Sequence, residues 1–252
     1  VQKLKKAYVY LYKYKYLYLN LKEDHKAKEI CYFCSMLEGS NTTIILIIIA
    51  NVLFSMKGFD DYSFLDKYKF QVGRIKGDEK IRMLTSGFLH VDWMHLGFNM
   101  YALYIFGGFV ANNLGIIPFL IIYFGSLLAG SLYTLHYHKD EPYYSAVGAS
   151  GAVSGIVYAS ILVFPDMQLL LFFAIPIPGY IFGVGYLLYS IYGMKKQLGN
   201  TGHAAHLGGA IGGFVLTLVL IPSLFSTDTI FVSLLAIPII LVLIFGDKLK
   251  NL

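Results

Sequence analysis

Charge is the scarcest thing in this chain. Asp, Glu, Lys and Arg make up 14% of its 252 residues while 57% are hydrophobic, too apolar a balance for a water-soluble surface. Lipid has to serve as solvent for much of it. Alternation is missing too. Runs such as Thr43–Ile49 and Phe231–Phe245 show no polar–apolar period, which argues against a membrane β-barrel and leaves helices as the way to satisfy backbone groups in the bilayer. Cysteine is limited to Cys31 and Cys34. One C-x-x-C pair cannot complete tetrahedral zinc, so the two read as incidental rather than as a half-site, a redox pair or an acylation site. The pairs His203/His206 and His136/His138 lack the HExxH arrangement in which a glutamate serves as base. No metal and no cofactor is therefore expected. The inverted repeats and charged mid-span residues of a small transporter are also missing, and Ala152 breaks the G-x-S-x-G elbow of soluble hydrolases.

What is present is a series of apolar segments of bilayer length, about 20 residues each. They fall at roughly 42–56, 93–111, 116–135, 147–164, 179–194, 203–221 and 229–246. An all-α polytopic membrane protein of seven spans follows, with the lipid bilayer as its surroundings. Eight of the 20 basic residues precede position 30, interleaved with tyrosines in VYLYKYKYLYL. A tail lying on anionic headgroups accounts for the net charge of +5 without a nucleic-acid partner. No clean apolar core precedes a small-residue cleavage site there, so the tail does not read as a signal peptide. The chain divides into a basic tail at 1–41, cytoplasmic or disordered, a core at 42–221, and a C-terminal span with a short tail at 222–252. A cytoplasmic N-terminus and a plasma (inner) membrane are the expected setting. Segment 57–90, with seven basic residues, reads as a structured loop at the membrane surface. Segment 165–178, broken by Pro165, Pro176 and Pro178, reads as an interfacial loop.

Glycine placement says more. GASGAVSG (148–155) and HLGGAIGG (206–213) set small residues four apart, Gly151 with Gly155, Gly208 with Gly212 and Gly209 with Gly213, making flat stripes on which two helix backbones can approach. Ordinary helix packing uses such stripes as well. Here each begins beside a residue able to do chemistry.

A serine in a membrane helix is common and usually bonds its own backbone. Ser150, however, lies at the start of the fourth span, where backbone N–H groups lack partners, and Gly148 and Gly151 leave room for a carbonyl to approach them. In a dry site each such donor contributes about 3 kcal/mol to an oxyanion. A hydroxyl also needs a base within about 3 Å. His206 lies near the start of the sixth span, on the same side and at similar depth, with His203 one turn nearer water as the other candidate. In HVDWMHLGFN, His95 and Asn99 are four apart and share one face of the second span. Both can donate to an oxyanion, and both can equally join helices. His90, ahead of that span, reads as a support for the 57–90 loop.

These residues resemble the rhomboid intramembrane protease family, whose signatures are Gly-x-Ser-Gly at the fourth helix, Ala-His-x-x-Gly-x-x-x-Gly in the sixth, and His-x4-His-x3-Asn at the second. The chain carries GASG at 148–151, AHLGGAIGG at 205–213, and His90, His95 and Asn99. The likeness covers about 42–221 and implies a six-helix core plus one C-terminal transmembrane helix. It implies Ser150 as nucleophile and His206 as base, acting as a dyad without a carboxylate, with His95, Asn99, Ser150 and Gly148 around the oxyanion. Structural support would come from His90, Arg82, Gly151, Gly155, Gly209 and Gly213. A lateral gate at the fifth helix would turn on Pro178 and Gly179, which equally suit an ordinary helix start. The substrates implied are transmembrane proteins cut within or beside the bilayer. The alternative is an inactive relative that binds transmembrane helices, though such relatives typically lack the serine or the histidine. Two positions depart from the pattern. Ile81 stands where a tryptophan usually precedes Arg82, and Ser154 stands where an aromatic usually supports the histidine ring, so that support is expected from elsewhere.

Overall fold

The computed structural model describes residues 39–165, 167–171, 175–196 and 202–250. The chain divides into Val1–Thr42, of which only the start of the first helix is described, and Thr43–Leu252, which holds every side-chain contact discussed below. Cys31, Cys34 and the basic tail lie outside the described residues.

Long apolar runs give the long helices, which keep glycines and even one proline, Pro238, in their interiors. The elements in order are α1 (Gly39–Asp60), α2 (Tyr62–Tyr68), β1 (Phe70–Gln71), α3 (Val72–Lys76), α4 (Arg82–Thr85), α5 (Trp93–Leu114), α6 (Ile116–Tyr137), β2 (Ser145–Ala146), α7 (Ser150–Val163), β3 (Gln168–Leu171), β4 (Ile175–Pro178), α8 (Gly179–Lys196), α9 (His203–Leu220), α10 (Leu224–Thr227) and α11 (Thr229–Lys250). Four of them, Thr42–Asp60 within α1, then α5, α6 and α9, are long and apolar enough to cross a membrane unaided. The architecture is that of an all-α membrane protein, with two small antiparallel strand pairings among the described residues.

The core is built around α7. Every residue from Gly151 to Leu162 is buried, so α7 is surrounded by protein on all sides, with α6, α9 and α5 packed about it. At 14 residues and 1.5 Å per residue it is about 21 Å long, well short of the roughly 30 Å hydrocarbon layer.

The expected fourth span, 147–164, begins later than its apolar run. Residues 145–146 form β2, which pairs antiparallel with β1 in the register Phe70↔Ala146 and Gln71↔Ser145. Gly148 then turns the chain at φ +137°, a region L side chains avoid, and α7 follows at Ser150. The segment 57–90 is structured, as its charge pattern suggested. Buried Arg82 fixes it, donating from Nη1 to the carbonyls of Asp66 (2.7 Å) and Lys69 (3.0 Å) and from Nε to Glu79 (2.6 Å). That guanidinium holds the Glu79 carboxyl below its usual range.

The stretch expected as an interfacial loop at 165–178 contains the β3–β4 hairpin, in register Leu169↔Ile177 and Gln168↔Pro178. Its prolines sit at alternate positions, 176 and 178. Their missing N–H groups therefore face away from β3, where the ladder needs none, and the Gly179 N–H extends the ladder to Met167 O at 2.8 Å. Pro178 thus ends a strand and Gly179 begins α8.

Candidate active site

Two kinds of glycine contact bring α6, α7 and α9 together. On one face of α9, a methyl at Gly209 would collide with the Gly151 carbonyl and one at Gly213 with the Gly155 carbonyl. These are backbone-to-backbone approaches between α7 and α9. On the neighbouring face, Gly208 and Gly212 meet α6, where a methyl would lie 2.9 Å from Ala129 O and 2.7 Å from Ala129 Cβ respectively. Helix α9 is held between α6 and α7 by four glycines, two per side. Gly130 on α6 completes the arrangement, 2.6 Å from Ala205 O by the same measure.

That packing sets the first turns of α7 and α9 side by side. Ser150, Ala205 and His206 line one cavity of about 910 Å³, together with His95, Asn99, Gly148 and side chains of the 57–90 loop such as Tyr62 and Lys69. His203 does not line it. It is buried and faces α8, its ring fitted against Gly193, where any methyl would collide with it, and edge-on to Tyr189 at 5.3 Å.

His95 reaches the cavity from the start of α5. Asp92 caps that helix, its carboxylate accepting the His95 N–H at 2.7 Å. The His95 Nε2 lies 2.9 Å, and Ser150 Oγ 3.5 Å, from the point a Cβ on Gly148 would occupy. Gly148 is therefore required twice, for its backbone turn and for the space between these two polar atoms. Its own N–H is donated to Ser86 O at 3.0 Å, so the donor the sequence offered there is already paired, and the contribution of Gly148 is room. The Ala149 N–H is likewise directed to His90 Nε2 at 3.4 Å. The first turn of α7 leaves the Ser150 and Gly151 N–H groups without an intrahelical acceptor. Asn99 is buried and donates from Nδ2 to His95 O at 2.9 Å, with a second N–H on the same nitrogen.

His90 is part of the scaffold under this site. It is buried, its Nε2 accepts from Ala149, and its Nδ1 lies 2.9 Å from Ser55 Oγ, which donates to Phe88 O at 3.1 Å. With Nε2 accepting, the ring proton is on Nδ1 and goes to Ser55. The neutral ring ties α1, the 57–90 loop and the loop before Ser150 together. Burial, and secondarily the neighbouring His95 ring, hold His90 down to about 3 from its ordinary 6.5.

The missing aromatic at position 154 is replaced from another helix. Tyr186 on α8 stacks on the His206 ring, centroids 5.9 Å apart and planes within 22°, and its hydroxyl meets Ser154 Oγ at 2.7 Å. Neither Tyr186 nor the anchoring roles of Ser55 and Ser86 were marked by the sequence pattern. With 21 tyrosines in the chain, one more on an apolar helix carries no signal; the three- and four-residue steps from Tyr186 to Tyr189 to Gly193 are the only trace of a shared face.

The rhomboid domain model matches residues 77–223, a stretch that holds every residue of this cavity from Ser86 to His206. The chain belongs to the rhomboid family. Among named relatives, it is 34% identical over 157 residues to "Rhomboid protein 1, mitochondrial" of Saccharomyces cerevisiae, covering 60% of this chain and 45% of the relative. It is 30% identical over 193 residues to "RHOMBOID-like protein 12, mitochondrial" of Arabidopsis thaliana, covering 69% and 57%. It is 28% identical over 202 residues to "Rhomboid-like protein 17, chloroplastic" of the same plant, covering 72% and 60%. The chain spans about half the length of these relatives. Their names correct one expectation: these relatives are named mitochondrial or chloroplastic, which overturns the plasma-membrane setting expected from the sequence.

Proposed function

We propose that this rhomboid chain is an intramembrane serine endopeptidase of an organellar membrane, cutting transmembrane proteins within or beside the bilayer with Ser150 and His206 as a dyad. The observation that supports this reading is the glycine-mediated contact of α7 with α9, beside which Ser150, His206 and His95 line one cavity. The relatives' mitochondrial and chloroplastic names support the setting.

In this mechanism Ser150 Oγ attacks the scissile carbonyl carbon as His206 takes its proton. The carbonyl oxygen, now an oxyanion, moves into the space left by Gly148 and is met by the Ser150 N–H, His95 Nε2–H and the free amide proton of Asn99. His206 then gives its proton to the leaving amine as the C–N bond breaks, leaving an acyl group on Ser150. Water from the cavity, deprotonated by His206, hydrolyses the ester and restores the serine. Helix α8, starting at Gly179 after Pro178, is the element assigned to lateral admission of substrate by family likeness.

The test is cleavage of a model transmembrane substrate by purified protein in liposomes, with fluorophosphonate labelling read on Ser150. Ser150→Ala and His206→Ala should each abolish both. Cleavage retained by Ser150→Ala overturns the proposal, and tight helix binding without cleavage by the intact chain establishes the inactive, binding relative instead.

A further inference from the structure

The ring support for His206 is connected to the nucleophile through a directed hydrogen-bond chain. Ser154 Oγ donates to the Ser150 carbonyl at 2.7 Å, one turn back along α7. A hydroxyl has one proton, so in the 2.7 Å contact between Ser154 Oγ and the Tyr186 hydroxyl, Tyr186 is the donor. The sequence of bonds runs Tyr186 O–H to Ser154 Oγ, then Ser154 O–H to Ser150 C=O. The same Tyr186 carries the ring lying nearly parallel to His206.

Other contacts fix where that ring sits. Helix α8 is joined to α7 one turn earlier by the Tyr158 hydroxyl, which donates to Gly183 O. Phe182 lies nearly parallel to Tyr186, with centroids 5.9 Å apart and planes within 15°. One and two turns later, Tyr189 and Gly193 lie against His203, whose ring is edge-on to His206 at 6.2 Å. His206 is thus bounded by the Tyr186 face on one side and the His203 edge on another. No carboxylate is needed to orient it.

We infer that Tyr186 is the positioning residue for His206, orienting the imidazole by its ring and registering that ring against Ser150 through Ser154. The inference rests on the dyad proposed above. It divides the role the family gives to one aromatic on α7 between two residues, a small hydrogen-bonding Ser154 on α7 and a tyrosine on α8. The two positions cannot both be large, because Ser154 is buried and already touches the Tyr186 hydroxyl.

The experiment compares kcat and KM for the model substrate, together with the His206 ring-proton resonances of histidine-labelled protein, in Tyr186→Leu, Tyr186→Phe, Ser154→Ala, and the exchange Tyr186→Leu with Ser154→Tyr. Tyr186→Leu should lower kcat at least tenfold with KM within about twofold, a loss expected when orientation of a reacting group is relaxed. It should also remove the upfield ring-current shift of the His206 protons. Tyr186→Phe keeps the ring and should fall by less. Its loss should match that of Ser154→Ala and not add to it in the double variant, since both cut the same chain. The exchange variant should recover kcat by returning an aromatic to the imidazole. Wild-type kcat in Tyr186→Leu, or additive losses from Tyr186→Phe and Ser154→Ala, overturns the inference while leaving the dyad intact. An intact chain that neither cleaves nor labels removes the dyad, and with it the inference, whatever the ring shifts show.

Discussion

Gly209 on α9 lies so close to Gly151 on α7 that a single methyl group at 209 would collide with the Gly151 carbonyl. The obstacle is backbone, which cannot rotate aside as a side chain would. Gly209→Ala should therefore force α7 and α9 apart, at about 1–3 kcal/mol or more for an overpacked contact, and carry Ser150 away from His206. We expect a lower Tm and at least a tenfold loss of cleavage. Gly185→Ala on α8 is the control, because nothing lies within 4 Å of a Cβ there. It should leave activity unchanged and raise helix stability by about 0.5–1 kcal/mol. Equal behaviour of the two variants would refute the role given to the stripe.

That stripe was legible because it is a property of one helix read four residues at a time. So was the shared face of His95 and Asn99, four apart on one helix, while Ser150 and His206 were marked by the small-residue runs beside them, and the four residues line one cavity. What the sequence left unread is long-range. Gly208 and Gly212 looked like one more stripe, but which helix they would meet, α6, depends on the order of helices around α7. The Tyr186–His206 stack joins residues 20 apart across a helix–helix boundary. The late start of α7 depends on β2 pairing with β1, two short elements too brief to show a period.

Oxyanion geometry makes a quantitative expectation. Asn99 has one amide proton committed to His95 O and one in reserve, and His95 Nε2 faces the space over Gly148. Asn99→Ala and His95→Ala should each lower kcat by about 10²–10³ with little change in KM, as for loss of one oxyanion donor. If KM rises and kcat holds, these side chains bind substrate without stabilising the transition state.

Arg82 offers a stability test separate from chemistry. Its guanidinium satisfies two loop carbonyls and Glu79 at once while buried. Each hydrogen bond from a charged donor is worth about 1.5–3 kcal/mol. Arg82→Ala should lower Tm and expose segment 57–90 to limited proteolysis, and Arg82→Lys should restore little, since an ammonium lacks the planar fork. Ile81, by contrast, is 63% exposed, so Ile81→Thr should leave Tm within error. A normal Tm and a protease-resistant loop in Arg82→Ala would show that β1–β2 pairing holds the loop without it.

His90 gives the pH dependence. Unfolded, its imidazole takes a proton near the ordinary 6.5; folded, burial delays that to about 3. Between those values the unfolded chain binds one more proton than the folded one, so stability falls as pH falls. The His90 contribution is complete above about pH 6.5 and is lost at up to about 1.4 kcal/mol per pH unit below it. Structurally, a proton on Nε2 would remove the acceptor for the Ala149 N–H and loosen the loop that carries Ser150. Thermal unfolding in detergent from pH 7.5 to 5 should show a Tm decline that is shallower in His90→Gln, the difference in slope being the share due to His90. His90→Gln should also start lower at pH 7.5, having lost the bridge from Ser55 to Ala149. Parallel declines in the two proteins would mean that His90 titrates alike in both states, and that the bridge is not made in the folded chain.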